Sequence, residues 1–407
     1  MSDGRTGIAR AAACACLAVG MVQAACMAAE YYADPVRGDD SNDGRSAASA
    51  FKTLARATKG LRAGDVLNLA AGALFDESLV IGASGTPEAP ILIRGNGAIL
   101  SGAHPIDPDK WEPKGGDLWF QPSDRRWGAL RQRVFIGGEM ISPACMHPDD
   151  IDPAKLAPKT AIWQTKGIYF RAEAGKTPRD YGLVGGSGRS KAEHSGVIIR
   201  NQSYITVEDV VAERFPNDGF NVHGVCRGIV FRKIVARYNG DDGFSIHDDV
   251  GATVFGLHSH HNDFGIQDVN FSQTIVSGAV LEDNRICGFD VYGGVRVLRD
   301  AVVRSNGVRQ MLVSSSLEKG KMPDSPLAAG MAYLESVKVE GGEGEPLVVG
   351  GAATVIARSC RFSGTRKGCS LGSGRVHFDN CTSDGCGTPD VISPKCVFTR
   401  SGGVAAK

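Results

Sequence analysis

Asparagine returns at positions 217, 239, 262, 284 and 306, every 22 or 23 residues, closing a short apolar run and preceding a run led by glycine. Such short units cannot each bury an apolar face alone, so a strict recurrence of this kind demands that each unit stack on the last. Counted from the glycines, the repeats read Gly219-Phe220-Asn221-Val222-His223, Gly243-Phe244-Ser245-Ile246-His247, Gly265-Ile266-Gln267-Asp268-Val269, Gly288-Phe289-Asp290-Val291-Tyr292 and Gly307-Val308-Arg309-Gln310-Met311.

Alternation along a strand places Phe220, Phe244, Ile266, Phe289 and Val308 in one inward stack and turns Asn221, Ser245, Gln267, Asp290 and Arg309 outward. A second apolar segment lies in each repeat, at Ile229-Val230-Phe231, Val254-Phe255, Thr274-Ile275-Val276 and Val295-Arg296-Val297-Leu298. These are too short for helices and rich in β-branched residues, which reads as strand. Two or three strands per ~22-residue turn, with coils ~4.8 Å apart, describe a parallel β-helix. The five asparagines would then stack at one corner, each amide bonded to backbone or to the next amide.

Two inward positions conflict with this register. Asp268 and Gln310 should point into the core, where an unpartnered charge is too costly, so the strand ends, bulges or slips there.

The chain has 407 residues, and a solenoid can absorb most of that length in one domain. Lys+Arg and Asp+Glu are both 45, which gives no electrostatic drive towards nucleic acid or an anionic membrane. Residues 1–29 carry Arg5 and Arg10, a small apolar run from 11 to 25, then Cys26-Met27-Ala28-Ala29, the pattern of a secretory signal. Gln23 argues against the alternative of a lipoprotein anchored at Cys26. No later segment approaches the ~20 apolar residues of a membrane span. The expected location is therefore secreted or periplasmic.

Three of eleven cysteines lie in the signal, at 14, 16 and 26. The others are Cys145, Cys226, Cys287, Cys360, Cys369, Cys381, Cys386 and Cys396, and an oxidising compartment favours disulfides near the C-terminal end, with Cys360 and Cys381 one repeat apart. No C-x₂-C pair supports a zinc ribbon.

After the signal, Phe51, Leu54, Ala55, Thr58 and Leu61 share one face of a short helix suited to capping the first coil. The strand opening at Gly64-Asp65-Val66-Leu67-Asn68-Leu69, with Gly85-Thr86-Pro87-Glu88-Ala89-Pro90-Ile91-Leu92-Ile93-Arg94-Gly95 and Leu100-Ser101-Gly102, resembles the start of secreted right-handed β-helix proteins of the pectate-lyase-like superfamily. That resemblance covers about residues 30–102 and resumes from about 195. It implies an all-β, right-handed single-stranded parallel β-helix with an N-terminal cap. Residues 103–192 break the pattern with Trp111, Trp119, Trp127, Trp163 and many prolines, and read as a small β insertion like those of glycan-cleaving β-helix enzymes. Its aromatics, Tyr169 included, either wall a sugar cleft or form the insertion's own core, which such a segment needs. The organisation is thus signal 1–29, cap and first coils 30–102, insertion 103–192 and main solenoid 193–407, with residues 314–326 looping out of the coils.

The densest polar region is Asn217-Asp218-Gly219 with Asp241-Asp242-Gly243, followed by His247-Asp248-Asp249. Stacking brings Asp218 beside Asp241 and Asp242, and carboxylates that close need a cation, a shared proton or a working role, although all three also suit turns. Family 28 glycoside hydrolases carry a similar aspartate one coil before Asp-Asp, but their Gly-His-Gly and Arg-Ile-Lys motifs are absent here. In family 9 polysaccharide lyases similar aspartates hold calcium and a lysine on a later coil takes the proton α to the uronate. Asp218, Asp241 and Asp242 match that cluster as metal ligands, whereas Ser245 stands where another aspartate would help, and no lysine occurs between Lys233 and Lys319.

The base must then be another group. His223 and His247 face out on adjacent coils with Tyr292 two coils on, and Arg309 or Arg285 could neutralise the substrate carboxylate. His258, His260 and His261 share one coil, but no acidic third ligand for zinc is evident.

The resulting expectation is a monomeric, extracytoplasmic β-helix that cleaves an acidic, uronate-containing polysaccharide by β-elimination, with no nucleic-acid partner. Its catalytic candidates are His223, His247, Asp242, Tyr292 and Arg309. Asn221, Gln267, Asp290 and Arg285 are the substrate-binding candidates, and Asp218, Asp241 and Asp242 the calcium ligands. Hydrolysis by the same aspartates, and a non-catalytic glycan-binding solenoid, are the alternatives.

Overall fold

The structure is a computed structural model that describes residues 28–123, 132–142, 148–186, 194–316 and 326–402. The expected signal, Trp127 and Cys145 lie outside the described residues, as does most of the 314–326 loop.

The chain winds into a parallel β-solenoid. Each full coil contributes one strand to a ten-stranded parallel sheet, which runs from Leu79–Ile81 through Val197–Arg200, Phe220–His223, Asp242–Ile246, Phe264–Val269, Cys287–Tyr292 and Arg309–Ser314 to Val391–Ile392. The rest of each coil lies in an eighteen-stranded sheet folded lengthwise, where long strands such as Asp249–His260 give way to pairs such as Gln273–Ser277 and Val280–Glu282. The fold line is one left-handed residue per coil, among them Asp209, Lys233, Gly256, Gly278 and Asp300, with φ between 51° and 72°. Glycine reaches that region freely and short polar side chains tolerate it, so the line recurs without a fixed residue type.

Asparagine sets the phase of every coil. Asn239 Nδ2 donates to Asn262 Oδ1 at 3.0 Å, Asn262 to Asn284 at 3.2 Å, and Asn284 to Asn306 at 2.9 Å, while each Nδ2 also donates to a backbone carbonyl. Gln310 ends the ladder, its Oε1 2.9 Å from Asn306 Nδ2. That bond satisfies the inward amide that the sequence left unexplained.

Two expectations are corrected by the ladder. The position below Asn239 is Phe215, whose N–H donates to Asn239 Oδ1 at 3.1 Å, so Asn217 is not a rung. In the last of the five repeats the inward residue is Met311, paired with Phe289 and fully buried, while Val308 is 53% exposed. Counted from the asparagines, Phe289 and Met311 each fall five residues on; the glycine at 307 misaligned the coil by three.

Asp268 does point inward, and no slip is needed. It meets Arg296 Nε at 2.7 Å on the next coil, with both side chains at most 2% exposed, and Ser272 Oγ donates to the carboxylate while accepting from the guanidinium. A buried charge is tolerated because its partner lies one coil away in the same interior.

The helix Leu54–Thr58 caps the first coils, with Phe51, Leu54, Ala57 and Leu61 buried; Ala57, not Ala55, completes that face. The insertion forms two antiparallel sheets of its own. Trp111 and Trp163 lie in its core with Ile168 and Phe170, and Trp119 packs against them, so these three rings are structural.

Seven described cysteines are free thiols, including Cys360 and Cys381, and no disulfide is formed among the described residues. No helix among the described residues is long and apolar enough to cross a membrane.

Removing either partner of the interior pair strands a charge, so Asp268→Ala and Arg296→Ala should each cost about 3–5 kcal/mol in chemical denaturation. An apolar double replacement, Asp268→Leu with Arg296→Met, should recover most of that loss. A double loss equal to the sum of the two single losses would show that the pair is not coupled.

Candidate functional site

The outer face of the ten-stranded sheet carries three columns of side chains. One contains Asp218, Asp242, Phe264, Cys287 and Arg309; the next Asn221, Ser245, Gln267 and Asp290; the third Arg200, His223, His247, Val269 and Tyr292. The first two columns lie three residues apart along the chain, because strict alternation fails at the glycine between them. A Cβ on Gly243 would sit 1.9 Å from the buried Ser259 Oγ and 2.8 Å from the ladder amide of Asn262, so this position faces inward, as Phe244 does. Glycine therefore lets Asp242 and Ser245 share the outer face.

Side chains on the outside of a solenoid are ordinarily exposed, but Asp218, Asn221, Asp242, Ser245 and Asp290 are all at most 3% exposed. The insertion is anchored along one border of this face. Arg133 donates to Asp263 and, at 3.2 Å, to the carbonyl of Asn239, and Phe135 packs edge-on against Tyr238.

Asp218, Asp241 and Asp242 each present an oxygen within 4.8 Å of the others, the one such three-ligand group among the described residues. Asp218 Oδ2 accepts from Asn221 Nδ2 and, at 2.7 Å, from Asn217 Nδ2, while its Oδ1 accepts the N–H of Asp242 at 3.2 Å. Asn217, expected in the ladder, thus belongs to the site. Asp242 Oδ2 accepts the Ser245 hydroxyl at 2.6 Å, and Ser245 Oγ lies 2.9 Å from His247 Nε2. Sequence reasoning gave Ser245 no role beyond an outward position; the spacing Asp-x-x-Ser-x-His was the available signal.

His223 and His247 stack with ring centroids 4.2 Å apart and planes within 7°. Burial, and then the charge of His247, push the His223 imidazole down to about 4, and Asp248, 3.7 Å away, offsets only part of this.

A second polar group occupies later coils. Gln267 Nε2 donates to Asp290 Oδ2 at 3.3 Å and Arg309 to Oδ1 at 3.4 Å. Burial raises the Asp290 carboxyl despite Arg309, and burial with the Asp290 charge pushes the Tyr292 phenol up to about 12. Tyr292 lies two coils from His247, and Arg309 three coils from Asp242, about 10 and 14 Å by coil spacing. These two cannot act on the sugar that His247 would reach.

Arg285 stands off the three columns. It is paired with Asp263 at a corner, on the carboxylate that also takes Arg133. Glu282 supplies the acidic neighbour that the histidine trio lacked in the sequence, 2.7 Å from His258 Nε2, but its other oxygen is held by Arg304. That cluster lies on the other sheet and does not join the site.

Residues 190–319 match the family model described as a right-handed β-helix region. Among solved structures of similar shape are one titled glycoside hydrolase (11% identity, 92% of this chain and 97% of that one, TM-score 0.53) and the xylose complex of XylC (11%, 89% and 70%, 0.52). Pectate lyase Pel9A is a third (13%, 90% and 78%, 0.51). At such identities the likeness is one of fold. No curated protein matches the sequence.

Because the folded pKa of His223 lies below the ordinary 6.5, the unfolded chain binds more protons between pH 6.5 and about 4. Stability should therefore fall as pH drops through that window and level off below it, by roughly 3 kcal/mol from this residue. Denaturant titrations of His223→Gln should show a correspondingly flatter profile; an unchanged slope would mean that His223 is not buried neutral.

Proposed function

We propose that the protein cleaves an acidic, uronate-containing polysaccharide by β-elimination outside the cytoplasm, with the outer face around Asp218, Asp242 and His247 as its active site. The observation that carries this reading is the continuous link from a cluster of three carboxylates, through Ser245, to a stacked histidine pair. A neutral imidazole beside a cation site suits removal of a proton α to a carboxylate.

The donor set fits calcium. Oxygens bound to one calcium at 2.3–2.6 Å lie within about 5 Å of one another, as these do, and all three ligands are hard carboxylates. A cation held by Asp218, Asp241 and Asp242 would supply positive charge for the uronate carboxylate as the enolate develops. His247 takes the α proton, a double bond forms as the β C–O bond breaks, and the departing oxygen takes a proton from water. Gln267, Asp290, Tyr292 and Arg309 contact sugars further along the same face. There Tyr292 stays protonated as a hydrogen-bond donor, and Arg309 offers charge to a second uronate.

Inverting hydrolysis by the aspartates fits less well. Inverting hydrolases need roughly 6.5–9.5 Å between carboxyl groups to admit water, and the closest oxygens here lie within 4.8 Å.

With uronate polymers and calcium, the purified protein should release products with the ultraviolet absorbance of a conjugated double bond, and chelation should abolish it. Asp242→Ala should lower turnover by at least ~100-fold, the scale of a lost electrostatic or acid–base contribution, and remove the calcium response. New reducing ends without that absorbance would replace this reading with hydrolysis, and no cleavage of any uronate polymer would overturn it.

A further inference from the structure

The histidine cluster on the other sheet has a geometry of its own. His258 and His260 close the long strand Asp249–His260 and share its outer face by alternation, with ring centroids 4.5 Å apart. Simple alternation would turn His261 inward, but its backbone is left-handed, with φ 59°, and this brings its ring round beside that of His260. The two Nδ1 atoms meet at 2.8 Å, with the ring planes 82° apart. One Nδ1 donates a hydrogen to the other there. Moving that hydrogen to Nε2 of the same ring gives the other neutral tautomer and leaves two nitrogen lone pairs converging on one small space.

Spacing selects the ion that such a space admits. Two nitrogens bound at about 2.05 Å and roughly 90° apart lie about 2.9 Å from each other, whereas a tetrahedral ion holds them about 3.3 Å apart. The observed 2.8 Å fits the first arrangement. Right-angled nitrogen coordination is the preference of copper(II) and nickel(II), and copper(II) binds the more tightly of the two. We propose that His260 and His261 form a chelating site for a late divalent transition metal, copper(II) before nickel(II), with water completing its coordination.

The surroundings agree with this assignment. His258 Nε2 is turned to Glu282 Oε1 at 2.7 Å, so His258 walls the site and is not a ligand. Arg237 and Arg304 lie in the same column as His260, but each is paired with a carboxylate, Arg237 with Glu213 and Arg304 with Glu282, so their charge opposes a cation little. His261 also lies on Tyr238, with ring centroids 4.8 Å apart, and Tyr238 meets Phe135 of the insertion edge-on. An ion held here fixes the corner on which the insertion rests, and its binding to the folded chain stabilises that chain. The site is separate from the calcium reading, because imidazole suits copper and nickel while calcium takes oxygen ligands.

Copper(II) sulfate titrated into the metal-free, full-length protein should saturate one site by calorimetry, and the electron paramagnetic resonance spectrum should show a tetragonal copper centre split by two nitrogens. His260→Gln and His261→Asn should each weaken binding at least ~100-fold, beyond the ~10–100-fold that loss of an outer partner costs. Asparagine tolerates the left-handed backbone at 261, so that change leaves the corner intact. Copper(II) should raise the melting temperature of the wild type and leave those of both variants where they were. His258→Ala should bind within about tenfold of the wild type, as an outer neighbour does. Binding unchanged in both ligand variants, fewer than two nitrogens on the copper, or no saturable binding by the wild type would overturn the proposal. Metal-free melting curves report whether each variant folds; if one does not, the other decides, and the wild-type spectrum decides without either.

Discussion

Register between coils is the constraint on which everything else rests. A parallel solenoid brings residues some two dozen apart in sequence to one coil spacing in space, and each column survives only if no coil slips. The asparagine ladder enforces this at one corner. Every rung uses both amide hydrogens and accepts the backbone N–H of the coil before it, as Asn284 does between Asn262 and Asn306. A slip would break several buried hydrogen bonds at once, and each buried polar group left unsatisfied costs about 1–3 kcal/mol. The same corner carries left-handed residues in successive coils, Arg214, Tyr238, His261, Asp283 and Ser305, a conformation that non-glycine residues hold only when their surroundings over-determine it.

In-register stacking also sets like beside like, and the chain answers that hazard differently on its two faces. Inside, apolar columns absorb it, and the one interior acid of the central coils, Asp268, finds its counter-charge in Arg296 a coil away. Outside, Asp218 and Asp242 fall in one column with Asp241 beside them. Amide and hydroxyl donors from Asn217, Asn221 and Ser245 hold two of these carboxylates. Neutral donors fix the geometry of a carboxylate without removing its charge, which suits the cation site proposed above.

The sequence made the solenoid, its inward columns through Phe289 and the aspartate cluster legible, because each follows from a period and an alternation. It misled where two signals disagreed. Gly307 looked like the glycine of its repeat, yet Asn306 sets the coil, and so Met311 is buried in place of Val308. Asn217 kept the asparagine spacing to within a residue, but Phe215 holds the rung and frees Asn217 for Asp218. Arg285 was misjudged for another reason. Its partner depends on side-chain direction, towards Asp263, and column position alone does not give direction. Ser245 was missed because its importance lies in two hydrogen bonds that need the glycine-induced break in alternation beside it.

Coil spacing turns the outer columns into a ruler, and the ruler separates roles that residue type alone would merge. Base, cation ligands, phenol and arginine could all serve one elimination, yet the histidines and aspartates lie on the coils of Phe220 and Phe244, and Tyr292 and Arg309 on those of Phe289 and Met311. At ~4.8 Å per coil these groups lie too far apart to meet on one sugar, so in the proposed reaction the second would address a different residue of a chain lying along the solenoid axis. The charges agree with that division. The first cluster is anionic and would need a cation to accept a uronate, while Arg309 offers its own positive charge beside a carboxyl whose burial raises its pKa. In the proposed reaction, a polymer presenting acidic groups at intervals of several coils satisfies both clusters together, and a single acidic sugar satisfies only one.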